Sequence, residues 1–342
     1  MSVFNHEEFS GHEQVVFVSD QSSGLKAIIA LHDTTLGIAA GGIRMRAYED
    51  SEQALADVLR LSRGMTYKSA LAGLPLGGGK TVVIGDPATA KTPELLEALG
   101  KAIDSLGGRY SAGEDVGMGD EDMEVIARQT SYVARGEAAD TAPDTAKGVY
   151  LAMQTAVRNK LSRDTMAGVQ VAIQGMGKVA FHLAELLVND GAKVVATDID
   201  QAVLDRAVTE LGVETVSPEE ITYLDVDVFA PCALGAILNN ESIPQIQASI
   251  ICGAANNQLA KPEHDQLLRE HDILFMPDYA INAGGIISGA CRFAGLDDAT
   301  REAMLAKIST TSQQIIDLAD EQNIGTQLAA DQLAEQIITA AK

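Results

Sequence analysis

Gln174-Gly175-Met176-Gly177-Lys178-Val179-Ala180 reads G-x-G-x-x-A, and its surroundings decide the fold of the second half of the chain. The apolar segment 169–174 before it reads as a strand; after it Val179, Leu183, Leu186 and Leu187 open a helix. In a strand–turn–helix of this kind Gly175 permits the tight turn and Gly177 lets the backbone approach a pyrophosphate. The small Ala180 lets helix and strand pack closely, and the N–H groups that open the helix favour an anion. Met176, Lys178 and Val179 complete the turn and belong to the same expected cofactor contact. A second strand, 193–197, ends at Asp198, about twenty residues further on. A carboxylate there accepts hydrogen bonds from an adenosine ribose and repels a 2′-phosphate. Asp198-Ile199-Asp200 offers no arginine, so NAD is favoured over NADP. The plainer alternative is a glycine turn in an α/β protein without a nucleotide. Strand, turn, helix and acid in register weigh against it.

Downstream, strands are expected at 213–216, 227–230, 249–252 and 273–276, most of them separated by helical segments. That alternation implies an α/β arrangement with a parallel sheet covered on both faces. Helices over 300–320 and 326–342 close the chain. Upstream, Val- and Ile-rich runs at 14–19 and 25–31 read as strands. A helix follows from Ser51, the expected N-cap, to about 72. Val58, Leu61, Met65 and Ala72 share a stripe with Lys68. Then come three glycines, a short buried strand at 81–84, a helix over 93–106 and a strand at 109–112. A loop, Gly113 to Gly119, precedes a helix expected to be capped at Asp120. The small, polar stretch 135–144 marks the expected domain boundary, and a helix over 145–159 enters the second half. The expected domains are 1–135 and 145–320, with 321–342 a C-terminal helix free to pack back on the first.

Composition narrows the class. The chain's 342 residues leave room for two cores. A formal charge of −23 excludes the basic stripe that a nucleic-acid partner requires. Cys232, Cys252 and Cys291 stand far apart in apolar stretches, as buried free thiols rather than metal ligands or disulfides. No metal site is expected. The N-terminus has no basic n-region or apolar core, and no apolar run is long enough to cross a bilayer, so a cytoplasmic protein without a membrane partner is expected.

Lys68, in Gly64-Met65-Thr66-Tyr67-Lys68, and Lys80, in Leu76-Gly77-Gly78-Gly79-Lys80, stand in apolar or glycine-rich surroundings. A rival reading of Lys80-Thr81 is a phosphate loop, G-x-x-x-x-G-K-[ST]. That pattern needs glycine where Leu74 stands, and Gly73 is one residue off. It also joins a strand to a helix, whereas here a helix precedes the glycines. The glycines instead let the backbone approach a small ligand, with Lys80 at its edge. Lys68 could alternatively stretch from its stripe to solvent, and Asp115 could simply stabilise its loop. Together the three fit oxidation of a small amino acid. Lys68 supplies a fixed cation for the carboxylate, and Asp115 exchanges protons with the substrate nitrogen. Lys80, partly buried beside another cation, has its proton affinity lowered toward what a base for imine hydrolysis needs.

Seven segments in order carry a resemblance over residues 35–333. They are Gly41-Gly42-Ile43-Arg44-Met45, the two lysine segments, Glu114-Asp115-Val116-Gly117, Ala230-Pro231-Cys232-Ala233-Leu234-Gly235, Gly253-Ala254-Ala255-Asn256-Asn257-Gln258 and Asn282-Ala283-Gly284-Gly285. On these the chain resembles the Glu/Leu/Phe/Val amino-acid dehydrogenases, and among them the leucine dehydrogenases. The resemblance implies an N-terminal mixed-sheet substrate domain, a Rossmann dinucleotide-binding domain, a cleft between them, and a homo-oligomer. It implies Lys80 as general base sharing proton transfers with Asp115, Lys68 on the substrate carboxylate, and Gly42 and Gly78 approaching substrate through their backbones. Thr145, Ala254 and Asn256 would hold the nicotinamide region, with Asn282 at the junction of substrate and cofactor. The implied reaction is reversible: L-amino acid, NAD and water give a 2-oxo acid, ammonia and NADH.

Departures from the leucine pattern bear on substrate choice. Ala40, Gly113 and Gly289 are smaller than the pocket residues leucine dehydrogenases carry there, and Ile286 is larger. An apolar L-amino acid is implied, with leucine and other branched chains favoured and a phenylalanine or broad aromatic dehydrogenase as the alternative. None of the four is charged, so the second carboxylate of glutamate would go unpaired. Asp144 and Lys147 also depart from the family's apolar residues near Thr145. A catalytically inactive NAD-binding sensor or assembly protein is the alternative from another class; intact Lys68, Lys80 and Asp115 argue against it.

Overall fold

The β-branched runs at the start of the chain form an antiparallel pair, Gln14–Asp20 (β1) and Leu25–Asp33 (β2). They are seen in a computed structural model that describes residues 2–134 and 140–342. Ala39–Arg46 (β3), Ser51–Leu71 (α1), Gly77–Ile84 (β4), Pro93–Asp104 (α2), Tyr110–Glu114 (β5) and Asp120–Ile126 (α3) follow. The strands form one sheet in the order β1-β2-β4-β3-β5. β2 meets β4 antiparallel, while β3 runs parallel to β4 and β5, so the sheet is mixed. One face packs Leu95, Leu99 and Ile103 of α2 and Ile126 of α3 with Ile29, Ile43 and Tyr110. The other packs Leu55, Val58 and Leu59 of α1 with Ile28, Ala30 and Val82. Because side chains alternate along a strand, Gly42 and Arg44, like Gly78 and Lys80, belong to the α1 face.

Several expectations change here. β3 was not anticipated: Ala39-Ala40-Gly41-Gly42 lacks the β-branched residues that advertise a strand. β4 begins at Gly77, not at Thr81, so the three glycines are strand rather than loop. α1 is capped by Asp50, whose carboxylate accepts from the Gln53 N–H, and not by Ser51; α3 is capped at Gly119, one residue before Asp120. The buried face of α1 runs through Ala54, Val58, Ser62, Thr66 and Ala70, while Leu61, Met65 and Lys68 lie on a half-buried flank. Hydropathy misplaces that face because Ser62 and Thr66 are buried with their hydroxyls bonded, Ser62 to the Leu59 carbonyl at 3.0 Å and Thr66 to His32 Nδ1 at 2.9 Å.

The second half alternates as expected: Ala142–Leu161 (α4), Gln170–Gln174 (β6), Lys178–Asn189 (α5), Lys193–Thr197 (β7), Gln201–Leu211 (α6) and Glu214–Thr215 (β8). Val228–Pro231 (β9), Ile250–Ile251 (β10), Glu263–Glu270 (α7), Leu274–Phe275 (β11), Asp278–Ile281 (α8) and Gly284–Phe293 (α9) come next. Asp298–Gln322 (α10) and Thr326–Ala340 (α11) end the chain. The sheet, ordered β11-β10-β9-β6-β7-β8, is parallel at every pairing. The last helix starts at Thr326, since α10 continues to Gln322.

Two units result, Met1–Ala139 with Glu335–Lys342, and Asp140–Ala334. The boundary expected over 135–144 lies partly outside the described residues. α4 starts at Ala142 rather than Thr145, and its first turns carry Asp144 and Lys147, the two departures noted above. Asp144 Oδ2 lies 3.4 Å from Arg301 Nε, and Lys147 pairs with Glu302, so the charged residues tie α4 to the start of α10. Among the described residues no helix is long and apolar enough to cross a membrane.

Candidate active site

β3, β4 and the end of β5 bring a compact charged cluster together on the α1 face of the first sheet. Lys80 on β4 is 5% exposed, and its Nζ lies 2.8 Å from Asp115 Oδ2, just past β5. Arg44 on β3 donates its Nε–H to the same oxygen, also at 2.8 Å, and its Nη1 lies 3.1 Å from Asp57 Oδ2 on α1. Tyr48 donates its hydroxyl to Asp57 Oδ2 at 2.7 Å, and Arg60 reaches Asp57 Oδ1 at 3.1 Å. Burial lowers the proton affinity of Lys80, and Arg44 adds to this; Asp115 and Asp57 oppose it without prevailing. Burial pushes the Asp115 carboxyl up, but Lys80 and Arg44 outweigh that and hold it below the usual carboxylate range. The resting site is therefore an ammonium–carboxylate pair whose ammonium sheds its proton more readily than a free lysine.

The neighbouring glycines have specific reasons. A Cβ on Gly42 would come within 2.7 Å of Asp115 Cβ and 3.1 Å of Lys80 Nζ, so only glycine leaves room for the pair. A Cβ on Gly78 would lie 2.2 Å from both the N and Oγ1 of Thr66, and one on Gly79 2.7 Å from the Tyr110 ring. Those two positions are thus small because helix and ring pack on the strand. Ala40 pairs with Gly78 and with Ser111, and Gly113 pairs with Gly42. Lys68 is half-buried in the last turn of α1, two residues beyond Thr66. Arg44 is a cation whose field reaches Lys80.

In the second unit the glycine turn sits at the carboxyl end of β6, as ligand turns do in parallel sheets. Gly175 has φ +90°, a conformation that favours glycine, and a Cβ there would meet Ala233 at 2.5 Å. Gly177 caps α5 without a side-chain bond, and a Cβ on it would meet only open space; Lys178 is exposed, Val179 half-buried and Ala180 buried. The helix thus opens with N–H groups turned to a free approach, which fits a pyrophosphate. Asp198 accepts from Met176 N–H at 2.6 Å through Oδ2 and from Asp200 N–H through Oδ1, which fixes the acid beside the turn. Gln174 Oε1 and Thr197 Oγ1, at the ends of β6 and β7, are buried without a hydrogen-bond partner among the described residues. These residues fit a dinucleotide.

Asn282 Nδ2 donates to Asn256 Oδ1 at 2.8 Å and to the Ala254 carbonyl at 3.1 Å, joining the start of α9 to the loop after β10. Gly284 and Gly285 pack on α4, where an added Cβ would lie 1.9 Å from the Asp144 carbonyl and 3.0 Å from Thr145 Oγ1. Ala254, Asn256 and Asn282 so form a hydrogen-bonded group, while Thr145 Oγ1 donates to the Thr141 carbonyl at 3.0 Å. Ile286 is half-buried and Gly289 exposed on α9.

Sequence reasoning passed over Arg44, Asp57 and Tyr48. Arg44 lay in a quoted segment, but nothing in its neighbourhood said that it would face Asp115, 71 residues away.

Compared with known families, residues 12–132 match the Glu/Leu/Phe/Val dehydrogenase dimerisation domain. Residues 136–207 and 197–341 match the Glutamate/Leucine/Phenylalanine/Valine dehydrogenase family. Leucine dehydrogenase of Geobacillus stearothermophilus is 46% identical over 343 residues, 99% of this chain and 94% of the relative. Valine dehydrogenase of Streptomyces albus is 44% identical over 98% of this chain and 95% of the relative. The crystal structure of L-tryptophan dehydrogenase from Nostoc punctiforme superposes with TM-score 0.87 at 44% identity, covering 97% of this chain and 96% of the other.

Proposed function

The chain belongs to the Glu/Leu/Phe/Val dehydrogenases and is an amino-acid dehydrogenase, and from that premise we propose that it oxidatively deaminates an apolar L-amino acid with NAD, reversibly. The observation that carries this reading is the buried Lys80–Asp115 pair at 2.8 Å, with a lysine primed to lose its proton. In the proposed course Lys68 holds the substrate carboxylate and Asp115 takes a proton from the substrate nitrogen. A bound NAD would supply the hydride acceptor that the α-carbon needs. Lys80, deprotonated, then removes a proton from the water that attacks the resulting imine, and collapse releases ammonia and the 2-oxo acid. Gly42 leaves space at this centre, with Gly78 and Ala40 lining the neighbouring strands. Gly175 to Ala180 would hold the pyrophosphate of the dinucleotide and Asp198 its ribose, a carboxylate that disfavours a 2′-phosphate. Thr145, Ala254, Asn256 and Asn282 hold its nicotinamide end.

Leucine and other branched chains are the favoured substrates, supported by the likeness to leucine and valine dehydrogenases. One observation favours an aromatic substrate as the second reading. A Cβ added at Gly113 or Gly289 meets nothing within 4 Å, so no neighbouring side chain has taken up the volume these glycines release. Steady-state kcat/KM on leucine, valine, phenylalanine and tryptophan separates the two. We expect a branched chain to lead; a preference above about tenfold for phenylalanine or tryptophan, the lower end of what a single methylene supplies, would reverse the choice. NADH formation with none of the four would refute the assigned class.

A further inference from the structure

Arg44 stands between two carboxylates and touches one of them at the atom Lys80 uses. Its Nε and the Lys80 Nζ are each 2.8 Å from Asp115 Oδ2. The other side of the guanidinium is held by Asp57, which Tyr48 and Arg60 hold in turn. We infer that Arg44, clamped by Asp57, is the positioning residue that sets how readily Lys80 releases its proton. The inference rests on Lys80 being the base of the proposed reaction.

The physical argument is competition for one oxygen. A carboxylate that served Lys80 alone would hold the ammonium in its charged form. Arg44 is permanently charged and planar, so it takes part of that field at every working pH, and its two anchors prevent it from swinging away. Among the charged groups that act on Lys80 are Arg44 from β3, Asp115 after β5 and Asp57 from α1. Arg44 disfavours the ammonium, whereas Asp57 favours it while fixing Arg44 in place. The two residues therefore act on the Lys80 proton with opposite signs, although both belong to one hydrogen-bonded chain. A plain staple between β3 and α1 would have no such signature.

Competitive acylation with acetic anhydride across pH, mapped by mass spectrometry on the full chain, reads the Lys80 proton directly. We expect Arg44→Gln to raise the Lys80 midpoint by about one unit, so that labelling at neutral pH slows about tenfold. Arg44→Lys should recover part of the difference. Asp57→Asn should lower the midpoint, because the asparagine still accepts from Tyr48 but brings no charge. Both variants shifting upward together, or a folded Arg44→Gln protein with an unmoved midpoint, would overturn the inference. If Arg44→Gln does not fold, Arg44→Lys decides, and a folded Arg44→Lys protein with an unmoved Lys80 midpoint counts against it. The same preparations run through the amino-acid panel keep the two ideas apart. Opposite shifts without turnover would retain the network and remove the assigned reaction, and turnover without opposite shifts would do the reverse.

Discussion

Removing the Lys80 amine should abolish chemistry while sparing structure, because its partner would not be stranded. Asp115 keeps the Arg44 Nε–H at 2.8 Å, so Lys80→Ala leaves no unpaired buried carboxylate. We expect kcat to fall at least about 10²-fold, the usual worth of a positioned base, with NAD affinity unchanged by calorimetry. Turnover at the wild-type rate would show that another group takes the proton. The same residue governs pH dependence. Burial and Arg44 lower the Lys80 proton affinity, so kcat for amino-acid oxidation should climb with pH and level off below 10.5, the ordinary lysine value. Asp115, held below its usual range, contributes no limb near neutrality. A plateau reached only above that value would place the titrating group elsewhere. Legibility at this scale was partial. Lys80 and Asp115 announce themselves as charges in glycine-rich segments, but Arg44 becomes part of the site only through pairing across three strands, which local patterns do not encode.

Elements formed by apolar periodicity were readable, and elements formed by small residues were not. β6 and β7 are short apolar runs ended by a glycine turn and an acid, and they appear where expected. The start of β4 is built from Gly because α1 and Tyr110 press on it, and β3 carries Gly41 and Gly42 because the Gly79 carbonyl and Asp115 stand against them, so the tertiary cause erased the local signal. α1 shows the same effect through polarity. Its buried face includes Thr66, bonded to His32, which lies with His12 in a T-shaped contact 4.8 Å between ring centres. Burial, with repulsion from His12, pushes His32 down to about 4. A histidine kept neutral in the fold protonates more easily when unfolded, so its contribution is complete above the ordinary value of 6.5 and is lost as pH falls toward 4. That loss amounts to about 3 kcal/mol. Denaturant unfolding of wild type and His32→Gln between pH 7 and 4 should therefore give a shallower acid decline in the variant. Parallel curves would mean that the pair titrates as it does in water. The charged tie at the start of α4 is different in kind: Lys147 and Glu302 are both partly exposed. Lys147→Met should change stability by less than about 1 kcal/mol by the same measurement.

At the scale of the molecule, net charge and assembly pull against each other. Each chain carries −23, so chains that associate must overcome mutual repulsion. The match of residues 12–132 to a dimerisation domain nevertheless supports a homo-oligomer. The first unit exposes a large apolar side chain on its edge strand, where Phe17 on β1 is 58% exposed. Salt acts on only one of these terms. Its screening length shrinks from about 30 Å at 0.01 M to about 10 Å at 0.1 M, which weakens repulsion between surfaces and leaves apolar contact intact. Light scattering should accordingly give a mass that is a multiple of 36.0 kDa and an association that tightens as salt rises. An oligomer that dissociates with salt would be held by complementary charge instead, and a monomer at every ionic strength would count against self-association.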